Sequence, residues 1–296
     1  VADYIIQKAV NVDAVKKTHC RSLEEYAATF EAQHKYDGCC GVITLRPNGE
    51  TLCQSRTGEV YPSLDLRASE LAYSLREEIR LYRGLVLIGE AWWPGKDQFS
   101  AISGEFRRLV PSAKLQFIIN DVLTVAEFEE GHSPLPYRVR MDRITGPSWE
   151  SFPAHIDTAV RQPPASYGCP QAYCNRLVDE GGYDGLILRD PSGTWTRGRG
   201  TTGEIVKIKR VLSYDLRVLE VNTVAGEKTG RPVHKLVVDF NGKRLGVGSG
   251  VPHKLAEVPT VDQIVEIEAM DLSSEGLLRE PRFKGIRFDK LEADAA

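Results

Sequence analysis

No apolar run in this chain of 296 residues reaches the roughly eighteen residues that a membrane-spanning helix needs, so a helical membrane protein is excluded. The cysteines carry no metal pattern. They lie at positions 20, 39, 40, 53, 169 and 174, with no C-x-x-C pair and no matching histidine spacing, which argues against a structural zinc site. A chain of this length builds a core without cross-links, so reduced thiols are expected. Positive charge is not in excess either. With 38 Lys and Arg against 41 Asp and Glu the net charge is −3, so any grip on a polyanion must come from local basic residues. The opening Val1-Ala2-Asp3-Tyr4 lacks the basic and apolar regions of a secretory signal, and a cytoplasmic location is expected. There is no internal repeat and no low-complexity tract.

What is present reads as a soluble globular chain, 42% apolar and 27% charged, with room for two domains. Ser22-Leu23-Glu24-Glu25 fits a capping box, and Leu23, Tyr26, Ala27 and Phe30 follow at helical spacing, which predicts a helix leading up to Gln33. Lys35-Tyr36-Asp37-Gly38 then stands at the mouth of an apolar strand, Cys39 to Leu45, that ends at the turn Pro47-Asn48-Gly49. Residues 69 to 83 predict a helix capped by Ser69, striped by Leu71, Leu75 and Ile79 and ended by Gly84. Strands are expected at 85–90, 115–122, 186–188 and 205–209, and a helix near 171–180. The stretch 131–169, rich in Pro, Gly and Ser, supports little assignment. After about residue 211 short, partly alternating strands separated by Gly and Pro turns predict a small all-β barrel, with the OB-fold leading.

A lysine before Asp-Gly at a strand is a plausible nucleophile, but an ordinary lysine with a pKa near ~10.4 is almost wholly protonated at pH 7. Burial, further cations or a metal are needed to favour the neutral amine, and the same groups would stabilise a transferring phosphate. Lys207 and Lys209 alternate on a predicted strand and so share a face. Taken alone, Lys35 reads as a surface lysine. The ordered set of segments is more specific. It comprises Lys35-Tyr36-Asp37-Gly38, Ser55-Arg56 with Gly58, Leu87-Ile88-Gly89-Glu90, and Phe99 to Arg108. It continues with Asp184-Gly185-Leu186-Ile187-Leu188-Arg189, Ile205 to Lys209, and Arg279-Glu280-Pro281-Arg282-Phe283 closing in Arg287-Phe288-Asp289-Lys290.

In these segments the chain resembles the covalent nucleotidyltransferase superfamily and, within it, the bacteriophage-type ATP-dependent DNA ligases. The resemblance implies an α+β architecture. An ATP-grasp-like adenylation domain of antiparallel sheets and helices would occupy residues 1–211, and a small OB-fold barrel residues 212–296. It also implies roles. Lys35 is the residue that takes AMP. Gln33, Arg56, Glu90, Lys207 and Lys209 join it in binding ATP and AMP, and Asn120 falls where the family has an adenine-stacking aromatic, with Phe117 as the substitute if the register differs. Asp184 and Glu90 serve Mg²⁺, and Asp184 is a shorter arm than the commoner Glu. Arg287 and Lys290 orient pyrophosphate once the second domain closes on the first through a hinge near 210–214. Cys40 stands where DNA ligases usually have Arg.

The implied reaction has three phosphoryl transfers, from ATP to Lys35, from Lys35 to the 5′-phosphate of a nick, and then displacement of AMP by the 3′-hydroxyl. ATP is expected rather than NAD⁺, because 34 residues precede Lys35 and no zinc ligands follow. The expected partner is nicked double-stranded DNA, with no membrane, and the expected state is a monomer. Arg107, Arg108, Arg197 and Arg199 are candidate DNA contacts, weighed evenly against ordinary solvated arginines. Trp92 and Trp93 read as core and rim packing, Cys39 and Cys40 as small core residues, Tyr36 as structural, and His34 as a solvent-facing neighbour. An RNA ligase or an mRNA capping guanylyltransferase is the competing enzyme. A catalytically silent nick- or end-binding protein is the competing function of another class.

Overall fold

The computed structural model describes residues 3–15, 19, 21–95, 99–144, 152–181, 183–198, 202–225, 232–269, 271–273 and 276–294. The chain divides into two compact units, Val1–Lys209 and Arg210–Ala296. The division falls two residues before the boundary expected from the sequence.

The first unit opens with β1 (Val10–Asn11), α1 (Leu23–Thr29), β2 (Glu31–Tyr36), β3 (Cys39–Leu45), β4 (Thr51–Ser55), α2 (Asp65–Ser74) and α3 (Arg76–Leu81). There follow β5 (Leu85–Trp92), α4 (Phe99–Phe106), β6 (Gln116–Thr124), α5 (Val125–Glu130), β7 (His132–Ser133) and α6 (Tyr137–Met141). The unit ends with β8 (Ile156–Thr158), β9 (Arg161–Gln162), α7 (Pro170–Glu180), β10 (Tyr183–Arg189), β11 (Trp195–Thr196) and β12 (Ile205–Ile208). Two five-stranded sheets result, ordered β1-β12-β10-β2-β9 and β4-β3-β5-β6-β8. The expectation of antiparallel sheets fails at two edges, where β1 pairs with β12 and β6 with β8 in parallel. A parallel neighbour needs a long crossover, and the helices between β6 and β8 supply one.

Local chemistry explains the elements around the site. Both halves of the capping box at α1 form, from Glu25 N–H to Ser22 Oγ at 3.2 Å and from Ser22 N–H to Glu25 Oε2 at 2.6 Å. The helix stops at Thr29, however, and Gln33 and Lys35 lie inside β2 rather than on a helix or at the mouth of a strand. The long helix expected over 69–83 is two, broken at Leu75, and it starts earlier, at Asp65 behind Pro62. Ser69 is therefore internal and donates back to the Asp65 carbonyl at 2.9 Å instead of capping. The apolar stripe survives the break. Leu71, Leu75 and Ile79 are buried against the second sheet, each contributing about 1.5–3 kcal/mol by leaving water. Gly84, at φ 108°, ends the run.

Each sheet buries one face against helices. In the first, Ala32, Leu186, Leu188, Val206 and Ile208 pack on α1 and α7. In the second, Ile43, Leu87, Ala91, Phe117 and Ile119 pack on α2 and α4. The opposite faces are left for polar and charged groups and for a smaller cluster around Ile6, Ile88 and Trp195.

The second unit contains β13 (Leu212–Ala225), β14 (Pro232–Phe240), β15 (Lys243–Val247), β16 (Ile264–Ala269), β17 (Asp271–Leu272), β18 (Leu278–Arg279) and β19 (Arg282–Ile286). Its five-stranded sheet is ordered β15-β14-β13-β16-β19, all antiparallel. Long β13 pairs with β16 through its first half and with β14 through its second, with an irregularity between Val218 and Glu220. The expected closed barrel is not formed among the described residues. Between the outer edges there is a single parallel bridge, Ser249 to Arg282, with Phe283 N–H donating to the Ser249 carbonyl at 3.0 Å. The chain turns away at Gly250, at φ 79°, before a ladder can extend.

Candidate active site

Three neighbouring strands of the first sheet carry the chemistry. In β2 the residues Gln33 and Lys35 alternate with Ala32 and His34, so Lys35 projects from the face that does not pack on the helices. Register places Gly185 opposite Lys35, and Ile187 opposite both Gln33 and Lys207. Lys207 therefore shares the Lys35 face, and Lys209 follows just beyond the end of β12.

Asp184 reaches the same place by a different device. The β10–β2 register shifts between Tyr183 and Gly185, which leaves Asp184 as the extra residue of a bulge. Next to it Gly185 has φ +139° and would put a Cβ 2.3 Å from the Ile208 carbonyl oxygen, so only glycine allows the strands this close. From the bulge Asp184 Oδ2 accepts from Lys35 Nζ and, at 2.9 Å, from Lys209 Nζ. Burial pushes the Asp184 carboxyl up, but Lys35 and then Lys209 outweigh it and hold it below its ordinary value.

The turn Asp37-Gly38 takes the chain from one sheet to the other. A Cβ on Gly38 would lie 2.4 Å from the Ala91 carbonyl oxygen and 2.8 Å from Glu90 Cγ, so the missing side chain lets the strand after Lys35 cross against Glu90. Burial, with Asp37 and Asp184 adding to it, drives the Glu90 carboxyl up to about 7 against the pull of Lys35 and Arg56. Lys207 is shifted down, first by burial and then by Lys209, Lys35 and Lys8. The site thus gathers Lys35, Lys207, Lys209 and Arg56 around two carboxylates, Asp184 and Glu90.

That donor set suits a hard cation that arrives with phosphates. Among the described residues no group of three or more His, Cys, Asp or Glu is placed to hold a metal by itself. Mg²⁺ commonly takes only one or two carboxylates and fills its remaining positions with water and substrate oxygens. Asp184 and Glu90 meet that requirement.

Other sequence candidates fall variously. Asn120 is also a bulge residue, since β5 pairs Ile88 with Asp121 and Gly89 with Ile119, skipping it. Phe117 is fully buried on the opposite face, against the helices, so it is no substitute for the missing adenine stacker. Gln33 is buried, and its Nε2 donates to Tyr137 Oη at 2.7 Å. Arg107 and Arg108 are exposed after α4, Arg108 at 3.4 Å from Glu105. Arg197 is spent on Phe128, donating to its carbonyl and lying 5.1 Å over its ring. Arg199 lies outside the described residues. His34 is not solvent-facing: its Nε2 lies 3.2 Å from Tyr173 Oη, its ring packs edge-on to Tyr183, and burial lowers its pKa. Cys40 sits opposite Glu90, and burial pushes its thiol far up, which disfavours the reactive thiolate.

Sequence reading missed a buried polar cluster beside Gln33. Asp121 accepts from Arg140 Nε and Nη2, both at 2.9 Å, and from Arg189 Nη1 at 2.8 Å. The Arg189 guanidinium lies 4.4 Å over the Tyr137 ring, and its Nε is buried without a partner among the described residues. The only available signal was the Arg that ends Asp184–Arg189, which lies on the Lys35 face by strand alternation. A cavity of about 540 Å³ lies nearby, lined in part by Tyr36, Trp92, Ile118 and Tyr183. None of the lysines of the site lines it.

In the second unit Arg287 and Lys290 are held by carboxylates of their own unit. Arg287 bonds Asp215 at 2.7 Å and Asp289 at 2.7 Å, and Lys290 bonds Asp215 and, at 3.0 Å, Asp294. The Asp289 carboxyl is held at about 2, chiefly by its hydrogen bonds from Arg287.

No family model matches the sequence, and no curated protein matches it. Solved structures do. A structure named Pmar-Lig_Pre is 20% identical with a TM-score of 0.71, over 97% of this chain and 68% of that one. A structure from work on DNA binding by the Lig E DNA ligases is 16% identical, TM-score 0.62, over 95% of this chain and 98% of the other. The ATP-dependent DNA ligase of bacteriophage T7 in complex with ATP is 18% identical, TM-score 0.59, over the same shares, 95% and 98%. The chain has the fold of the ATP-dependent DNA ligases.

Proposed function

We propose that the protein is an ATP-dependent DNA ligase that seals nicks through an AMP carried on Lys35. The observation that carries this reading is the face shared by Lys35, Lys207 and Lys209 around the bulged Asp184. An amine flanked by two more ammoniums is suited to attack a phosphate and to stabilise the charge that develops on it. The T7 enzyme of the same fold binds ATP in its complex, and a Lig E relative in fold is described as binding DNA.

In this reading Lys35 Nζ forms a bond to the α-phosphorus of ATP as the bond to pyrophosphate breaks. The AMP then passes to the 5′-phosphate of a nick, and the 3′-hydroxyl displaces it to form the phosphodiester. Lys207 and Lys209 neutralise the α-phosphate, Gln33 and Asn120 line the nucleotide site, and Arg56 and Glu90 hold the ribose side. Mg²⁺, held by Asp184 and Glu90, would supply charge neutralisation at the phosphates. Arg287 and Lys290 take the pyrophosphate. The second unit is read as an OB-fold from its strand order, its long shared β13 and the parallel bridge where a partly open barrel would close. The protein acts as a monomer on nicked duplex DNA, with the exposed Arg107 and Arg108 among its contacts.

Intact mass after incubation with ATP and Mg²⁺ tests this, beside a Lys35→Ala control. One added AMP in the parent and none in the control is expected. No adduct in the parent, even after excess pyrophosphate has stripped any AMP already bound, defeats the reading and leaves a nick-binding protein without chemistry. Cys40, which places no arginine after the Lys35 turn, favours a second reading as an RNA ligase or capping guanylyltransferase. Charging by GTP, or sealing of nicked RNA in preference to DNA, would establish it.

A further inference from the structure

The segment Tyr4–Asn11 matches none of the motifs, yet it is laid along the edge of the Lys35 site. Ile5 N–H donates to the Arg56 carbonyl at 3.0 Å. Lys8 N–H donates to the Gly198 carbonyl at 3.0 Å, and Gly198 N–H to the Ile6 carbonyl at 2.9 Å. Three residues on, Asn11 pairs with Lys207 itself. One extended strap therefore runs from Arg56 to Lys207, and Lys8 lies between them.

The side chain of Lys8 is braced. Its Nζ donates to Tyr4 Oη at 3.4 Å and lies 4.6 Å from the centroid of the same ring, which Arg56 approaches to 5.5 Å. Tyr4 thus joins two cations through its π face. Lys8 is half-buried, and its ammonium is close enough to Lys207 to disfavour a second charge there. Among the described residues neither Lys8, Arg56 nor Lys207 has a carboxylate within ion-pair distance. A solvated lysine would not be pinned at both backbone and head, and cations that outnumber the carboxylates beside them repel one another unless an anion is to join them.

We propose that Lys8, braced by Tyr4, is a further phosphate-binding residue of the Lys35 site, taking a phosphate group that is not itself bonded to Lys35. This rests on the reading of that site as a nucleotidyl-transfer centre. The phosphate belongs either to the polyphosphate tail of the nucleotide or to the 5′ end of the DNA strand, and the chemistry that recognises the two is the same.

The test uses the full chain with Lys8→Ala, Lys8→Arg and Tyr4→Phe. One arm follows AMP attachment as ATP is varied. The other loads the protein with AMP first and follows its transfer to a nick bearing a 5′-phosphate. A charge-assisted bond to phosphate is strong enough that its loss should cost about tenfold. A KM for ATP raised about tenfold assigns the nucleotide tail, and a transfer rate lowered about tenfold assigns the DNA end. Lys8→Arg should recover most of either loss, and Tyr4→Phe should lose less than Lys8→Ala. If Lys8→Ala unfolds, Lys8→Gln, which keeps most of the stem, takes its place. Wild-type behaviour of the folded variant in both arms overturns the proposal. Calorimetric binding of tripolyphosphate separates the two readings. If the parent forms no AMP adduct yet binds tripolyphosphate about tenfold more tightly than Lys8→Ala, the ligase reading fails and the phosphate site stands. Equal binding by parent and variant, together with wild-type transfer of AMP to the nick, defeats the phosphate site.

Discussion

Each unit of the chain carries a cluster of basic side chains, and the two clusters are built on opposite terms. In the first, Lys35 and Lys209 share one bonded carboxylate, Asp184, while Lys207, Lys8 and Arg56 have none among the described residues. In the second, Arg287 and Lys290 meet three carboxylates, Asp215, Asp289 and Asp294. Cations left unpaired lower their energy when an anion enters. Cations already paired must first break bonds, so any anion they take is bound by exchange. The first cluster is poised for an anion, whereas the second is stable as it stands and changes partners only when something replaces Asp215.

The largest effect expected from this contrast comes from the most completely paired group. Asp121 lies fully buried between Arg140 and Arg189 and accepts three hydrogen bonds from them and a fourth from Val122 N–H. Asp121→Ala would leave two buried guanidiniums without counter-charge, at a cost of about 3–5 kcal/mol. The midpoint of urea unfolding measures it. A loss below roughly 1 kcal/mol would show that water reaches the arginines and that pairing matters less here than burial.

The unpaired lysines should behave in the reverse manner. Lys207→Ala is expected to slow AMP attachment by about 10²–10³, as removal of a charge-stabilising donor does elsewhere. It should leave the melting temperature unchanged or higher, because burial and then Lys209, Lys35 and Lys8 disfavour this ammonium more than Asp184 favours it, and no ion pair is broken. Lys209→Ala should slow the reaction similarly but also weaken the fold slightly, since Asp184 loses a partner at 2.9 Å. A clear fall in melting temperature for Lys207→Ala would contradict the contrast.

How these groups meet was only partly legible in the sequence. Lys35, Asp184, Lys207 and Lys209 stand in short ordered segments, and strand alternation puts Lys207 on the Lys35 face, while Lys209 meets Asp184 from just beyond the end of β12. The two bulges were not visible. A bulge depends on the partner strand, and Asp184 and Asn120 owe their positions to register shifts against β2 and β5. The sequence places Lys35 at the mouth of a strand because the helical spacing runs on towards Gln33, whereas the chain leaves the helix at Thr29 and turns to β. The cluster of Asp121, Arg140 and Arg189 draws on three elements, one of them α6 inside the Pro- and Gly-rich stretch that supported no assignment. Lys8 gave no local signal, since only its pairing with Gly198 and the neighbouring Lys207 identify it.

Glu90 sharpens the contrast through pH. Its folded carboxyl titrates at about 7, against 4.5 for an ordinary glutamate. The folded state therefore holds this proton more tightly than the unfolded one. The stability that follows is complete below pH about 4.5 and is lost as pH rises through about 7. Glu90→Gln is neutral at every pH and escapes the loss. The variant should match the parent near pH 4.5 and exceed it by about 1–3 kcal/mol at pH 8. Equal unfolding midpoints across that range would mean that Lys35 and Arg56 already satisfy the ionised carboxylate, and the first site would then be less short of negative charge than its geometry indicates.

The smallest effect is expected where exchange is to be detected. Asp215 is buried, one of its oxygens serves both Arg287 and Lys290, and the other has no partner among the described residues. Asp215→Asn keeps the shape but removes the charge that these cations face. The melting temperature should fall by a few degrees, because each cation retains only an exposed partner, Asp289 or Asp294. Pyrophosphate should then strip AMP from Lys35 at a concentration a few-fold lower than in the parent, because less bonding has to be surrendered before Arg287 and Lys290 can take it. The two changes must occur together. A lower melting temperature with unaltered pyrophosphate dependence would make Asp215 a structural carboxylate only. If neither changed, Asp215 would exert no hold on its partners, and the second cluster would be as open to phosphate as the first.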